Sequence, residues 1–125
     1  AHNNFFLGHA AMLVNEGLPN FIIKKLKEKN DLRDKTVGIL GMAFKANNDD
    51  KRDSLSFKLR KLLRIECRQV LCHDAHIKDA SFSPLQATLE KADVIILAAP
   101  HDEYKTISPA NYPEKLFVDV WGFWQ

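Results

Sequence analysis

The chain is poor in the features that would assign it to a special class. It has only two cysteines, Cys67 and Cys72, in 125 residues. That is no disulfide framework of the kind small secreted domains need, and a cytoplasmic setting is the simplest expectation. No apolar run approaches the roughly 18 residues of a membrane-spanning helix, so no membrane partner is expected. Charge of one sign is also missing: 18 basic against 16 acidic residues leave a formal net charge of +2. A strongly basic nucleic-acid binder is therefore excluded as the default, although local basic patches remain open. The first residues lack the charged-then-apolar order of a signal peptide, and a chain starting at Ala1 reads as a piece of something longer. There is no internal repeat and no low-complexity segment.

What is present is an ordinary globular composition, 46% apolar and 27% charged, with length for one domain. Residues 1–8 carry no pattern and are expected to be ragged. From His9 to about Lys29, Ala11, Val14, Leu18, Ile22 and Leu26 recur at helical spacing. Gly17 and Pro19 interrupt the pattern, predicting a kink or two helices. Lys24, Lys25, Lys27 and Lys29 crowd its end, where cations favour the negative pole of the helix dipole. Val37, Ile39 and Leu40 then form an apolar run that suits a central parallel strand covered on both faces. Ser54 is a good N-cap for a helix whose Leu55, Leu59, Leu62 and Leu63 share one face. Lys58, Arg60, Lys61 and Arg64 cover the other face, a pattern usual for a solvated helix surface.

Gln69–His73, Asp93–Ala99 and Leu116–Val120 read as further strands, and 83–92 as a short helix with Pro84 in its first turn. Strands alternating with helices predict an α/β fold, a Rossmann-like parallel sheet with flanking helices, preceded by an N-terminal helix.

The chemistry concentrates after the first strand. Lys45, Asn47, Asn48, Asp49, Asp50, Lys51, Arg52 and Asp53 fall within nine residues. Open α/β sheets bind ligands outside the carboxyl ends of their strands, which is where this segment leaves. Gly38-Ile-Leu-Gly41 is not the G-x-G-x-x-G dinucleotide fingerprint, because a dozen mostly polar residues precede the next helix. Lys45 and Arg52 can meet phosphate oxygens, or pair with Asp49, Asp50 and Asp53. Asp74 stands where dinucleotide folds contact a ribose, and equally where an Asp caps a turn.

Cys67, Cys72, His73 and His76 suggest zinc, but Cys72 and His73 are strand neighbours that face opposite ways, so no metal is expected. His101 and Asp102 lie on the ligand-binding edge, yet adjacency alone makes no catalytic dyad. Trp121, Phe123 and Trp124 can stack on a base, or pack against another domain. A free-standing nucleotide-binding or regulatory module that catalyses nothing fits this reading too, and so does a purely structural or dimerising element.

The segment Gly41-Met-Ala-Phe-Lys-Ala-Asn-Asn-Asp-Asp-Lys-Arg-Asp-Ser54 resembles the G-x-x-F-K-x-x-[TN]-x-D-x-R-x-S signature of the UDP-glucose/GDP-mannose dehydrogenase family. Val14-Asn15-Glu16 with Pro19, His73-Asp74-Ala75, Ala92-Asp93-Val94 and Val118-Asp119 resemble further family motifs in the same order. The likeness covers roughly residues 9–125. It implies that residues 1–34 end a central, dimerising helical region and that 35–125 form the nucleotide-sugar-binding C-terminal domain. It further implies an NAD-dependent oxidation of a sugar C6 alcohol to a carboxylate through a cysteine-linked intermediate, in polysaccharide-precursor biosynthesis. Phe44 and Lys45 would touch the nucleotide sugar, and Arg52 would reach an NAD held mainly by an N-terminal domain outside this sequence. The intact protein would be a homodimer. No catalytic residue is assigned within the chain, since neither Cys67 nor Cys72 matches the family's nucleophile. The sequence departs from the family pattern at Ala75, where proline is usual, and after Asp119, where many members carry an arginine that contacts the substrate.

Overall fold

The computed structural model describes residues 4–6, 18–42, 55–99 and 101–119, with backbone alone for 4–6, Leu18 and Leu55. Its elements are strand β1 (Asn4–Phe6), helix α1 (Leu18–Lys29), β2 (Thr36–Leu40), α2 (Leu55–Glu66), β3 (Gln69–His73), α3 (Leu85–Lys91), β4 (Val94–Leu97) and β5 (Leu116–Asp119). Two short 3-10 turns, Asp102–Thr106 and Pro109–Asn111, lie between β4 and β5. The strands form one parallel sheet in the order β1-β5-β4-β2-β3.

The expected α/β architecture is therefore present, with one correction. Residues 1–8 are not all without structure, because Asn4–Phe6 pairs in parallel with Phe117–Asp119 at the sheet edge. A strand of three residues offers too few positions for a period of two to register in sequence.

The two faces of the sheet separate by strand alternation. Val37 and Ile39 of β2, Val94 and Ile96 of β4, Cys72 of β3 and Val118 of β5 pack beneath α1 and α2, joined by Ile22, Ile23, Leu26, Leu59 and Leu63. Leu40, Ile95, Leu97 and Phe117 turn the other way, onto Leu89 of α3 and onto Tyr104 and Ile107. Helix α1 is thus built into the first layer beside α2, and Lys27 reaches Glu66 across the pair at 2.7 Å. Pro19 lies in the first turn of α1, where its missing N–H costs no helical hydrogen bond. Pro84 caps α3 rather than entering it: its carbonyl accepts from the Thr88 N–H at 3.0 Å. Gly38 lets α3 approach closely, for a Cβ there would stand 2.8 Å from Thr88 Cγ2 and 3.1 Å from Ala92 Cβ.

β2 sits between β3 and β4, with Leu40 level with both His73 and Leu97. From β2 the chain goes to β3 at the edge, then returns across β2 to build β4 and β5. The winding direction reverses at the carboxyl ends of β2 and β4, the place where such sheets form their ligand crevice.

Candidate functional site

The residues at this edge are held by a small buried polar cluster. β2 ends at Leu40 and the chain turns at Gly41, whose φ of +90° lies in the region that glycine alone adopts cheaply. A Cβ at Gly41 would lie 2.5 Å from both the Cβ and the carbonyl oxygen of Ala99. This glycine thus serves close packing of the β2 end on the β4 end, and it leaves no open cradle for a pyrophosphate. Met42 follows, fully buried in the first layer of the core.

Asp74, immediately after β3, gathers four donors. Its Oδ2 accepts from the Met42 N–H at 2.5 Å and from His101 Nε2 at 3.0 Å. Its Oδ1 accepts from the His76 N–H at 2.6 Å and the Ile77 N–H at 2.9 Å. Both side chains of the Asp74–His101 pair are fully buried. Burial alone would raise the Asp74 pKa, but the bonds from His101 and the three backbone amides outweigh it and hold the carboxyl well below the usual carboxylate range. With the carboxylate ionised, His101 carries its proton on Nε2, since only a donor can face it.

A second bond closes the opposite end of the charged segment. Ser56, fully buried in the first turn of α2, donates its hydroxyl to the Gly41 carbonyl. Asp74 and Ser56 thus hold the two halves of one peptide unit, the Met42 amide and the Gly41 carbonyl. On the other face His73 Nδ1 lies 2.9 Å from the Tyr104 hydroxyl, which also donates to the His73 carbonyl at 3.2 Å. Burial pushes the His73 pKa down and the Tyr104 hydroxyl pKa up, so both are neutral near pH 7. His76 stacks edge-on against His101, with ring centroids 4.6 Å apart, and its Nε2 meets Glu103 at 3.1 Å.

The sequence-derived site residues fare differently. Phe44, Lys45 and Arg52, together with the capping Ser54 and the aromatic tail from Trp121, lie outside the described residues. Asp74 is brought to the edge, but as the turn cap: its oxygens already hold two turn amides, a third amide at Met42 and an imidazole, which leaves little capacity for a ribose. His101 pairs not with its neighbour Asp102 but with Asp74, 27 residues away. Cys72 and His73 face opposite layers as alternation requires, Cys72 in the apolar core and His73 against Tyr104. Burial raises the pKa of both Cys67 and Cys72, the opposite of what an activated thiol needs. No group of metal-ligating side chains converges among the described residues.

Tyr104 and Ser56 were not singled out from sequence. Ser56 had a legible signal, lying two residues past the predicted cap Ser54, and Tyr104 a weaker one, in the segment that leaves the carboxyl end of the predicted strand Asp93–Ala99. What the sequence could not show is which strand ends stand together.

Comparison with known proteins places this geometry. Residues 38–125 match the family model described as "UDP-glucose/GDP-mannose dehydrogenase family, UDP binding domain". A UDP-N-acetyl-D-mannosamine dehydrogenase of Methanocaldococcus jannaschii is 35% identical over 106 residues, covering 82% of this chain and 24% of that protein. One from Pyrococcus horikoshii is 28% identical over 113 residues, covering 86% and 27%. The fold matches the solved UDP-D-ManNAc dehydrogenase of P. horikoshii with a TM-score of 0.75 at 23% identity, over 92% of this chain and 29% of that one. A UDP-glucose dehydrogenase of Pyrobaculum islandicum matches with a TM-score of 0.68 at 27% identity, over 87% and 31%. The chain spans about a quarter of the length of the curated relatives it matches. It belongs to the UDP-glucose/GDP-mannose dehydrogenase family, and its residues 38–125 constitute the UDP binding domain of that family.

Proposed function

We propose that this chain is the nucleotide-sugar-binding part of an NAD-dependent dehydrogenase that oxidises a sugar C6 alcohol to the carboxylate. The observation that carries the reading is the position of the family signature: it leaves the sheet at Gly41, at the switch point where β2 and β4 end. In this reading Lys45 meets the pyrophosphate as a point charge, Phe44 lies against the sugar nucleotide, and Arg52 reaches toward the cofactor. Residues 1–34 end a central helical region through which the intact protein dimerises, and 35–125 form the ligand-binding unit.

NAD supplies the hydride acceptor when bound. The described residues do not fit it as its main holder, because the turn at Gly41 is filled by Ala99. The cofactor therefore belongs chiefly to a domain outside this sequence. What the chain itself does is bind and orient the nucleotide diphosphate. The names of the relatives favour a UDP-N-acetylhexosamine over UDP-glucose, and so does the lack of an arginine after Asp119. No helix among the described residues is long and apolar enough to cross a membrane. A cytoplasmic enzyme supplying precursors for polysaccharide synthesis agrees with that.

The test is NADH formation by the full-length protein against a panel of UDP- and GDP-sugars, with UDP binding measured in parallel. NADH formed with a UDP-N-acetylhexosamine and lost in Lys45→Ala supports the proposal. UDP binding without NADH from any sugar would replace it with a non-catalytic nucleotide-binding module.

A further inference from the structure

We propose that Asp74, His101 and Ser56 are positioning residues for nucleotide binding, acting through the backbone of Gly41 and Met42. The inference rests on the reading that the segment leaving Met42 binds the nucleotide sugar. The observations behind it are independent of that segment. The sheet does not need the Asp74 carboxylate for its own hydrogen bonds: β2 is paired along its length with β3 and β4. Beyond the ladder, the Gly41 N–H donates to the His73 carbonyl at 2.8 Å and the Ala98 N–H to the Leu40 carbonyl at 2.9 Å. Asp74 acts one residue further on, at the first amide past the sheet.

Burying an ionised carboxylate is expensive, and ordinary sheet ends let water satisfy the departing backbone instead. Here the carboxylate is buried, backed by a buried imidazole, and aimed at the point where the chain departs. Ser56 fixes the adjoining carbonyl from the helix at which the chain returns. Two polar ties from two different elements thus set one peptide unit, Gly41–Met42, in place. Gly41 packed against Ala99 and the buried Met42 side chain remove its remaining freedom. A ligand-binding segment anchored this way begins from one defined direction, which lowers the ordering cost of binding.

The experiment is calorimetric titration of the full-length protein with UDP, for wild type, His101→Phe, His101→Gln, Ser56→Ala and Lys45→Ala. Each affinity is corrected for the folded fraction from urea unfolding. His101→Phe keeps the ring volume and removes the donor, and should weaken UDP about tenfold, as expected for one hydrogen bond to a charged group. His101→Gln restores an N–H near the Nε2 position and should recover most of that loss. Ser56→Ala, a change of one oxygen that the core tolerates, should weaken UDP about threefold to tenfold through loss of the second tie. A merely structural role would lower stability in these variants while leaving affinity per folded molecule unchanged, and that result overturns the inference. Should His101→Phe not fold, Ser56→Ala decides alone. Wild-type protein that fails to bind UDP, or binds it undiminished in Lys45→Ala, overturns the underlying assignment of the segment. UDP binding that depends on Lys45 but not on Ser56 or His101 overturns only the positioning role.

Discussion

Asp74 and His73 are neighbours whose pKa values are both lowered, Asp74 by its hydrogen bonds against burial and His73 by burial, with opposite consequences for stability. The Asp74 carboxyl is held below its usual range, so its stabilising contribution is complete above the unfolded value near 4 and is lost only as pH falls below that. The His73 imidazole is lowered by burial, so the unfolded chain takes up its proton first as pH falls below about 6.5. Stability should therefore begin to drop between pH 7.5 and 5 on account of His73, while Asp74 still contributes fully. Urea unfolding at both values should show the decline, and His73→Gln should flatten it; an unchanged slope in that variant would assign the decline to another group. Asp74→Asn should cost about 3–5 kcal/mol, because it disrupts a buried pair and turns one acceptor into a donor facing donors. Gly41→Ala should cost several kcal/mol as well, since it meets both the left-handed backbone and Ala99. Retention of wild-type stability in either variant, measured by the same urea titration, would contradict the geometry described here.

At the scale of elements, helix α2 offers a contrast between two apolar residues six positions apart. Leu59 is fully buried between the sheet and α1, whereas Ile65 is 80% exposed. Leu59→Ala should cost about 2–5 kcal/mol from lost burial and a cavity, and Ile65→Ala should stay within about 0.5 kcal/mol. Equal effects in thermal unfolding would mean that α2 is packed on a different face. Elements of this kind were legible from sequence because periodicity reports burial directly: Val37, Ile39, Leu59 and Leu63 all lie where their spacing puts them. The Asp74 cap was legible only as one of two alternatives, since turn chemistry and ribose contact ask for the same residue. The bond from Asp74 to His101 was not legible at all. It depends on β2 lying between β3 and β4, so that two strand ends distant in sequence converge on the one that separates them. A pattern read along the chain carries no information about that order until the sheet is assembled.

For the molecule as a whole, the switch point makes ligand binding and global folding one problem. The peptide unit at Gly41–Met42 is fixed by groups from the ends of β3 and β4 and from α2. None of β2, β3, β4 and α2 can be unfolded without dismantling it. The amides of Ile39 and Ile96 lie in central strands, paired on both sides and fully buried, and they should exchange with solvent only when the domain unfolds globally. A ligand that binds only the native state stabilises it by RT ln(1 + [L]/Kd), about 2.7 kcal/mol at a hundredfold excess over Kd. UDP at that excess should therefore slow exchange at Ile39 and Ile96 about a hundredfold, and by the same factor at both. In Lys45→Ala, at the same UDP concentration, the protection should largely vanish at both amides together. Slowing confined to amides bordering residues 43–54, with Ile39 and Ile96 unaffected, would mean that the nucleotide binds a locally ordered segment whose affinity does not depend on the sheet beneath it. That outcome would separate the binding segment from the fold, because a site built on the junction of three strand ends has no intact form once the sheet is open.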